Sequence, residues 1–206
     1  MEILQKQWKE LAGAYCENSG LVDQCWKEIT GAYKHKSRHY HNLSHIHSLL
    51  NQADTFKEHI KDFDTICFAI WYHDIIYKVW RKDNEQKSAD LARERLTDIG
   101  LGANRFDRCH ALILATKNHQ ADDDSDTNWL LDFDLSVLGA DQERYLEYTQ
   151  QIRKEYRRYP DLIYKPGRKK VIQYFLNLNR IYKTSAYFEQ YEAQARKNLA
   201  DELKTL

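Results

Sequence analysis

The chain has 206 residues, a length that suits one domain and is ample for a real core. Its 31 Lys and Arg balance 31 Asp and Glu, and zero formal net charge excludes a general nucleic-acid or membrane-surface binder. The opening MEILQKQWKE has neither a basic n-region nor an apolar h-region, and no apolar run approaches the ~18 residues of a membrane span. Four cysteines (Cys16, Cys25, Cys67, Cys109) are scattered without a CxxC pair. Two of them fall on apolar helical faces, so reduced core thiols in a cytoplasmic protein are expected.

Only two prolines and seven glycines interrupt the chain, and helical periodicity is widespread, so the fold class is all-α. The first 34 residues read as one or two helices packed onto a core. Leu43, Ile46, Leu50 and Ala53 step at helical spacing and predict a helix over about 40–58. The apolar run from Thr65 to Tyr72 predicts the next and ends at His73-Asp74. Asp83 and Gln86 form a capping box for a helix whose face continues through Ala89, Ala92, Leu96 and Ile99 until Gly100 stops it. Asn104 caps another, which carries Cys109, Leu112 and Thr116 towards His119. An acidic loop (121–127), a short apolar segment (129–139) and a helix from about 141 to 157 follow. A loop then holds both Pro160 and Pro166, and helices near 168–180 and 185–204 finish the chain.

Chemistry concentrates at four positions. A carboxylate beside an imidazole at the buried end of a helix needs a partner that offsets its desolvation, and a divalent cation is such a partner for His73-Asp74. His45 aligns with Leu49, Ala53 and Phe56, so it points along an apolar face. Asp134 sits among Phe133, Leu135, Val137 and Leu138, where a carboxylate needs hydrogen bonds, a cation or a raised pKa. Asp132 is its competitor, since either aspartate could cap a helix. One shared ion explains two imidazoles and two carboxylates in apolar settings better than four separate exceptions do.

His45, then His73-Asp74, then Asp134 in DFDLSVLG resembles the H…HD…D signature of the HD-domain metal-dependent phosphohydrolase superfamily. The segments RHYHNLSHI (38–46), AIWYHDIIY (69–77), NEQKSA (84–89), LILATKNH (112–119) and LLDFDLSVLG (130–139) resemble an uncharacterised branch of predicted phosphohydrolases within it. The likeness covers about 35–140, and IRKEY (152–156) with GRKKVIQYFL (167–176) extends it over most of the chain. It implies one HD-type helical bundle over 1–206, with terminal helices packed on a metal-binding core. It also implies that His45, His73, Asp74 and Asp134 are the ligands, Asp134 being preferred to Asp132 because the family's aspartate immediately precedes Leu. An N₂O₂ set suits Mn, Fe, Co, Ni or Zn better than Mg.

Around these four, His41 stands one helical turn before His45, and His110 or His119 could hold a second metal or a phosphate oxygen. Glu85 is the candidate general base or water-orienter, and its alternative is a first-turn glutamate that favours the helix dipole. Asp74 supplies charge to the ion. Lys78, Arg81 and Lys117 could meet phosphate. Between 153 and 170 eight basic residues face two acids; Arg153 and Arg168, with Arg38, are the favoured phosphate anchors, against the alternative of a solvated basic face. Tyr40, Tyr77, Tyr156 and Tyr164 are candidates to line a ring pocket.

The expected function is hydrolysis of a small phosphorylated substrate, a nucleotide foremost, by metal-assisted attack of water. No membrane partner is expected, and homo-oligomerisation is left open. Two alternatives stand beside it: a di-iron oxygenase on the same fold, or a non-catalytic nucleotide-binding regulatory module. A ferritin-like di-iron bundle is disfavoured, since no Glu-x-x-His occurs.

Overall fold

The computed structural model describes residues 1–206 and is all-helical, with ten α-helices, two short 3-10 turns and no strand. It divides into two compact units, Met1–Leu130 and Leu131–Leu206. None of the helices is long and apolar enough to cross a membrane.

The first unit contains α1 (Glu2–Gly13), α2 (Ser19–Tyr33), α3 (Leu43–Thr55), α4 (Phe63–Tyr72), α5 (Asn84–Asp98), α6 (Ala103–Ala115) and the start of α7 (Ser125–Leu135). Its centre is α4. Every residue from Thr65 to Tyr72 is buried, because a helix apolar on all sides must be covered on all sides. Helices α3, α5 and α6 pack against it. Trp8 of α1 meets Phe68, Trp71 and Tyr72 edge-on, and Trp26 of α2 meets Trp71 in the same way. The buried Trp8 indole still finds an acceptor, the Val22 carbonyl at 3.0 Å.

Asp126 closes this unit from the first turn of α7. It is fully buried and accepts from the main-chain N–H groups of Lys61 and Asp62, each at 2.9 Å, and from Arg108 at 2.7 Å. The acidic stretch 121–127 is thus part loop and part helix start, with Asp126 turned inward.

The second unit holds the end of α7, the 3-10 turn Ser136–Gly139, α8 (Gln142–Glu155), α9 (Asp161–Asn177) and α10 (Ser185–Thr205). Helix α10 packs on the 136–139 turn and on α9. At Gly139 a Cβ would stand 2.6 Å from Tyr191 Cβ and 2.9 Å from the Tyr182 hydroxyl oxygen, so only glycine fits there. Asp132, fully buried, accepts from Lys183 N–H, Thr184 N–H and Thr184 Oγ1, each at 2.7 Å. That ties it to the entry of α10.

Several boundaries differ from expectation. Helix α3 starts at Leu43 rather than near 40, because the Asn42 side chain caps it by accepting from Ser44 N–H at 2.8 Å. His41 therefore lies outside the helix, not one turn before His45. Asp83 makes no capping bond at the start of α5; its carboxylate takes the Arg81 guanidinium instead, at 2.8 and 2.9 Å. Helix α6 begins at Ala103 after Gly102, one residue ahead of the expected Asn104 cap. Gly100 does stop α5, with φ +86. The two prolines do not share a loop: Pro160 is the N-cap residue of α9, and Pro166 lies inside that helix. Proline's φ suits a helix, but Pro166 forgoes the N–H bond back to Leu162 and crowds that carbonyl with its ring.

Candidate metal centre

Helix α4 delivers His73 to the end of the buried core. His73 is the C-cap residue, its N–H bonded to the Ala69 carbonyl at 2.8 Å. Its ring is almost fully enclosed, with 1% of the side chain exposed. Nδ1 donates to the Ile70 carbonyl at 2.9 Å, so the neutral ring presents its lone pair at Nε2. That nitrogen faces His45 Nε2 at 3.4 Å and Asp74 Oδ2 at 3.2 Å. His45 comes from the first turn of α3 and is also buried. The ligand atoms of His45, His73 and Asp74 all lie within 4.8 Å of one another.

These distances suit a shared ion. Two donor atoms each about 2.1 Å from a tetrahedral centre stand about 3.4 Å apart. The donor set is two imidazole nitrogens and one carboxylate oxygen, which leaves coordination positions open in the manner of catalytic sites. Burial works against the charged form of Asp74, yet the His73, His41 and His45 imidazoles, when protonated, outweigh it and hold the carboxyl well below the usual carboxylate range. A bound cation would take the place of those ring protons beside the carboxylate.

Other side chains frame the cluster within the first unit. His41 Nε2 is 3.9 Å from Asp74 Oδ2, and its ring lies against Tyr77, with centroids 4.2 Å apart. Tyr40 covers His45 at 4.9 Å. The segment after Asp74 leaves helical geometry, and three side chains hold its backbone. Arg38 donates to the carbonyls of Asp74 (2.6 Å) and Ile75 (2.8 Å). Ser88 Oγ accepts from Ile76 N–H and donates to its carbonyl. The Asn84 amide does the same for Lys78, at 3.0 Å both ways. Asn84 and Ser88 sit one turn apart on α5, which gives NEQKSA a structural meaning that the sequence did not disclose.

The remaining expected residues are distributed as follows. Glu85 follows Asn84 in the first turn of α5 and is half-buried. Lys117 and His119 lie in the turn after α6; Lys117 is exposed, and His119 adopts φ +48. His110 pairs with Asp90 at 3.1 Å. Asp134 is half-buried and belongs to the second unit, and its expected part as a ligand is carried by the resemblance alone. Its competitor Asp132 has the structural duty at Lys183 and Thr184 described above. Arg153 and Arg168 also belong to the second unit, and both have acid partners there. Arg153 binds Asp161 at 2.8 Å and lies over Tyr164. Arg168, 7% exposed, grips both Glu202 oxygens at 2.8 and 2.9 Å.

Arg38 was expected as a phosphate anchor; its guanidinium donates to the main-chain carbonyls of Asp74, Ile75 and, at 3.2 Å, His41. Sequence reasoning missed this clasp and the role of Asp126. No family model, curated protein or solved structure matches the chain.

Proposed function

We propose that the chain is a metal-dependent phosphohydrolase of the HD type, acting on a small phosphorylated molecule. One observation carries this reading: two buried imidazole nitrogens 3.4 Å apart and an adjoining carboxylate oxygen at 3.2 Å. Three donors clustered within 4.8 Å of one another, with the His73 lone pair turned inward, are an arrangement that a divalent cation stabilises. When bound, such an ion supplies Lewis acidity and lowers the pKa of water towards ~7.

The chain's own groups would do the rest. His45 and His73 hold position from the ends of two packed helices, and Asp74 contributes the negative charge. Glu85, half-buried at the start of α5, is proposed to accept a proton from the attacking water. Lys78, exposed at the end of the clasped segment, is proposed to meet the phosphoryl oxygens as a point charge.

The test is metal analysis of purified protein, followed by phosphate release from nucleotides and sugar phosphates with Mn, Fe, Co, Ni, Zn or Mg added back after chelation. Release is expected to vanish on chelation and return with a transition metal. Full activity in chelated protein, or protein that retains no metal, overturns the reading.

A further inference from the structure

We propose that Arg38 is a positioning residue for Asp74: it fixes the main chain on which that carboxylate is mounted and so sets the geometry of the metal centre. The inference rests on the proposed metal site and assigns Arg38 a task different from binding substrate.

Three contacts argue for it. Arg38 uses one terminal nitrogen for the His41 and Asp74 carbonyls and the other for the Ile75 carbonyl. It thereby joins the segment before α3 to the segment after α4, 36 residues away in sequence. A guanidinium can do this because its donors lie in one rigid plane, whereas an ammonium is a point charge. The plane is itself held. Arg38 lies over the Tyr33 ring at 4.9 Å and near the Tyr77 ring at 5.6 Å. Tyr33 is buried and donates to the Trp71 carbonyl at 3.1 Å. Tyr77 rests on His41. The chain of contacts thus runs from the α4 core through Tyr33 and Arg38 to the peptide of Asp74.

Asp74 needs such support. His73 is fixed by the helix end and by its bond to Ile70, but Asp74 stands one residue beyond, where the α4 ladder no longer constrains the backbone. Arg38 supplies the constraint at the Asp74 carbonyl itself. Groups that orient a ligand in this way typically change metal affinity 10–100-fold when altered.

The experiment titrates chelated wild type and Arg38→Lys with Co(II), reading affinity and the d–d absorption spectrum, then measures kcat and KM for the best substrate found in the phosphate-release screen. Arg38→Lys keeps the charge but cannot span the carbonyls. The expected result is Co(II) affinity lower by about tenfold or more, an altered spectrum, reduced kcat and little change in KM. Unchanged affinity and spectrum with a raised KM would make Arg38 a phosphate anchor and overturn the inference, and unchanged values throughout would overturn it too. Wild type that binds no Co(II) overturns the metal-centre reading, and this inference with it. If Arg38→Lys does not fold by circular dichroism, Arg38→Gln, which keeps two N–H donors, takes its place. Loss of the fold in both variants would assign Arg38 to stability and overturn the proposal.

Discussion

His73 donates from Nδ1 to the carbonyl of Ile70, three residues back in the same helix, at 2.9 Å. One bond within a single turn therefore decides which nitrogen of a buried ring remains a lone-pair donor, and it is the nitrogen that faces His45 and Asp74. A break in the last turn of α4 would remove that choice. The cluster is an extension of the core rather than an addition to its surface.

Replacing Asp74 by Ala removes the carboxylate while leaving α4 and its aromatic contacts intact, since Asp74 lies beyond the helix end. Metal-supported phosphate release is expected to fall at least about a hundredfold, given that an ion and its ligands supply several kcal/mol of transition-state stabilisation. The helical circular dichroism should match that of wild type. Activity within a few-fold of wild type would remove Asp74 from the ligand set.

Asp126→Ala should destabilise the first unit by about 2–3 kcal/mol, because two main-chain N–H groups and one guanidinium contact lose their acceptor. Arg108 retains Asp124 at 2.8 Å, which limits the loss. Asp126→Asn keeps one carbonyl oxygen and should fall between. Urea denaturation measures both, and a shift below about 0.5 kcal/mol for the alanine variant would contradict the assignment.

The fold was legible where one physical cause dominated. The run from Thr65 to Tyr72 is the buried helix it was expected to be, and Gly100 ends α5. Cluster residues His45, His73 and Asp74 were legible because polar groups at apolar positions demand an explanation. What escaped was non-local. Nothing around Asp126 announces that its partners are the backbone of Lys61 and Asp62, 65 and 64 residues away. Asp83 looked like a cap until Arg81 competed for it. Pro166 looked like a loop marker, but packing of α9 outweighs one lost hydrogen bond. The carbonyls that Arg38 meets were hidden too, because sequence shows a guanidinium's charge and not its main-chain partners.

Asp132 is expected to make the stability of the second unit depend on pH. Burial raises its pKa from 3.8 to about 6, although the Lys183 and Thr184 hydrogen bonds pull the other way. The folded chain therefore binds this proton more tightly than the unfolded chain. Its contribution to stability is fully present below about pH 4 and is lost as pH rises through about 6, amounting to about 2–3 kcal/mol. Urea midpoints of wild type and Asp132→Asn across pH 4–7.5 should show wild type losing ground to the variant over that window. A carboxyl carbon titration of Asp132 with its midpoint below 4 would refute the claim.

Cysteine labelling tests the packing of the first unit. Cys25, Cys67 and Cys109 are buried, whereas Cys16 is partly exposed. Desolvation pushes the Cys67 thiol up to about 12 and raises Cys25 and Cys109 as well. Since the thiolate is the reactive form, iodoacetamide at pH 7.5 should modify Cys16 first in the native protein. The other three should label only after unfolding. Mass spectrometry of tryptic peptides reads the order, and early labelling of Cys67 would mean that α4 is not enclosed.

The clasp on residues 74–78 separates two things that many sites bind together. Ile76 and Lys78 are held through their peptide groups by Ser88 and Asn84, so the loop's path does not depend on which side chains those positions carry. Substitutions there leave the clasping bonds in place, provided the new residue keeps its N–H. Proline is the one exchange this geometry forbids at both places. The peptide groups of Ile76 and Lys78 thus anchor the chain beside His45, His73 and Asp74, and the side chains at those two positions are not what the clasp grips.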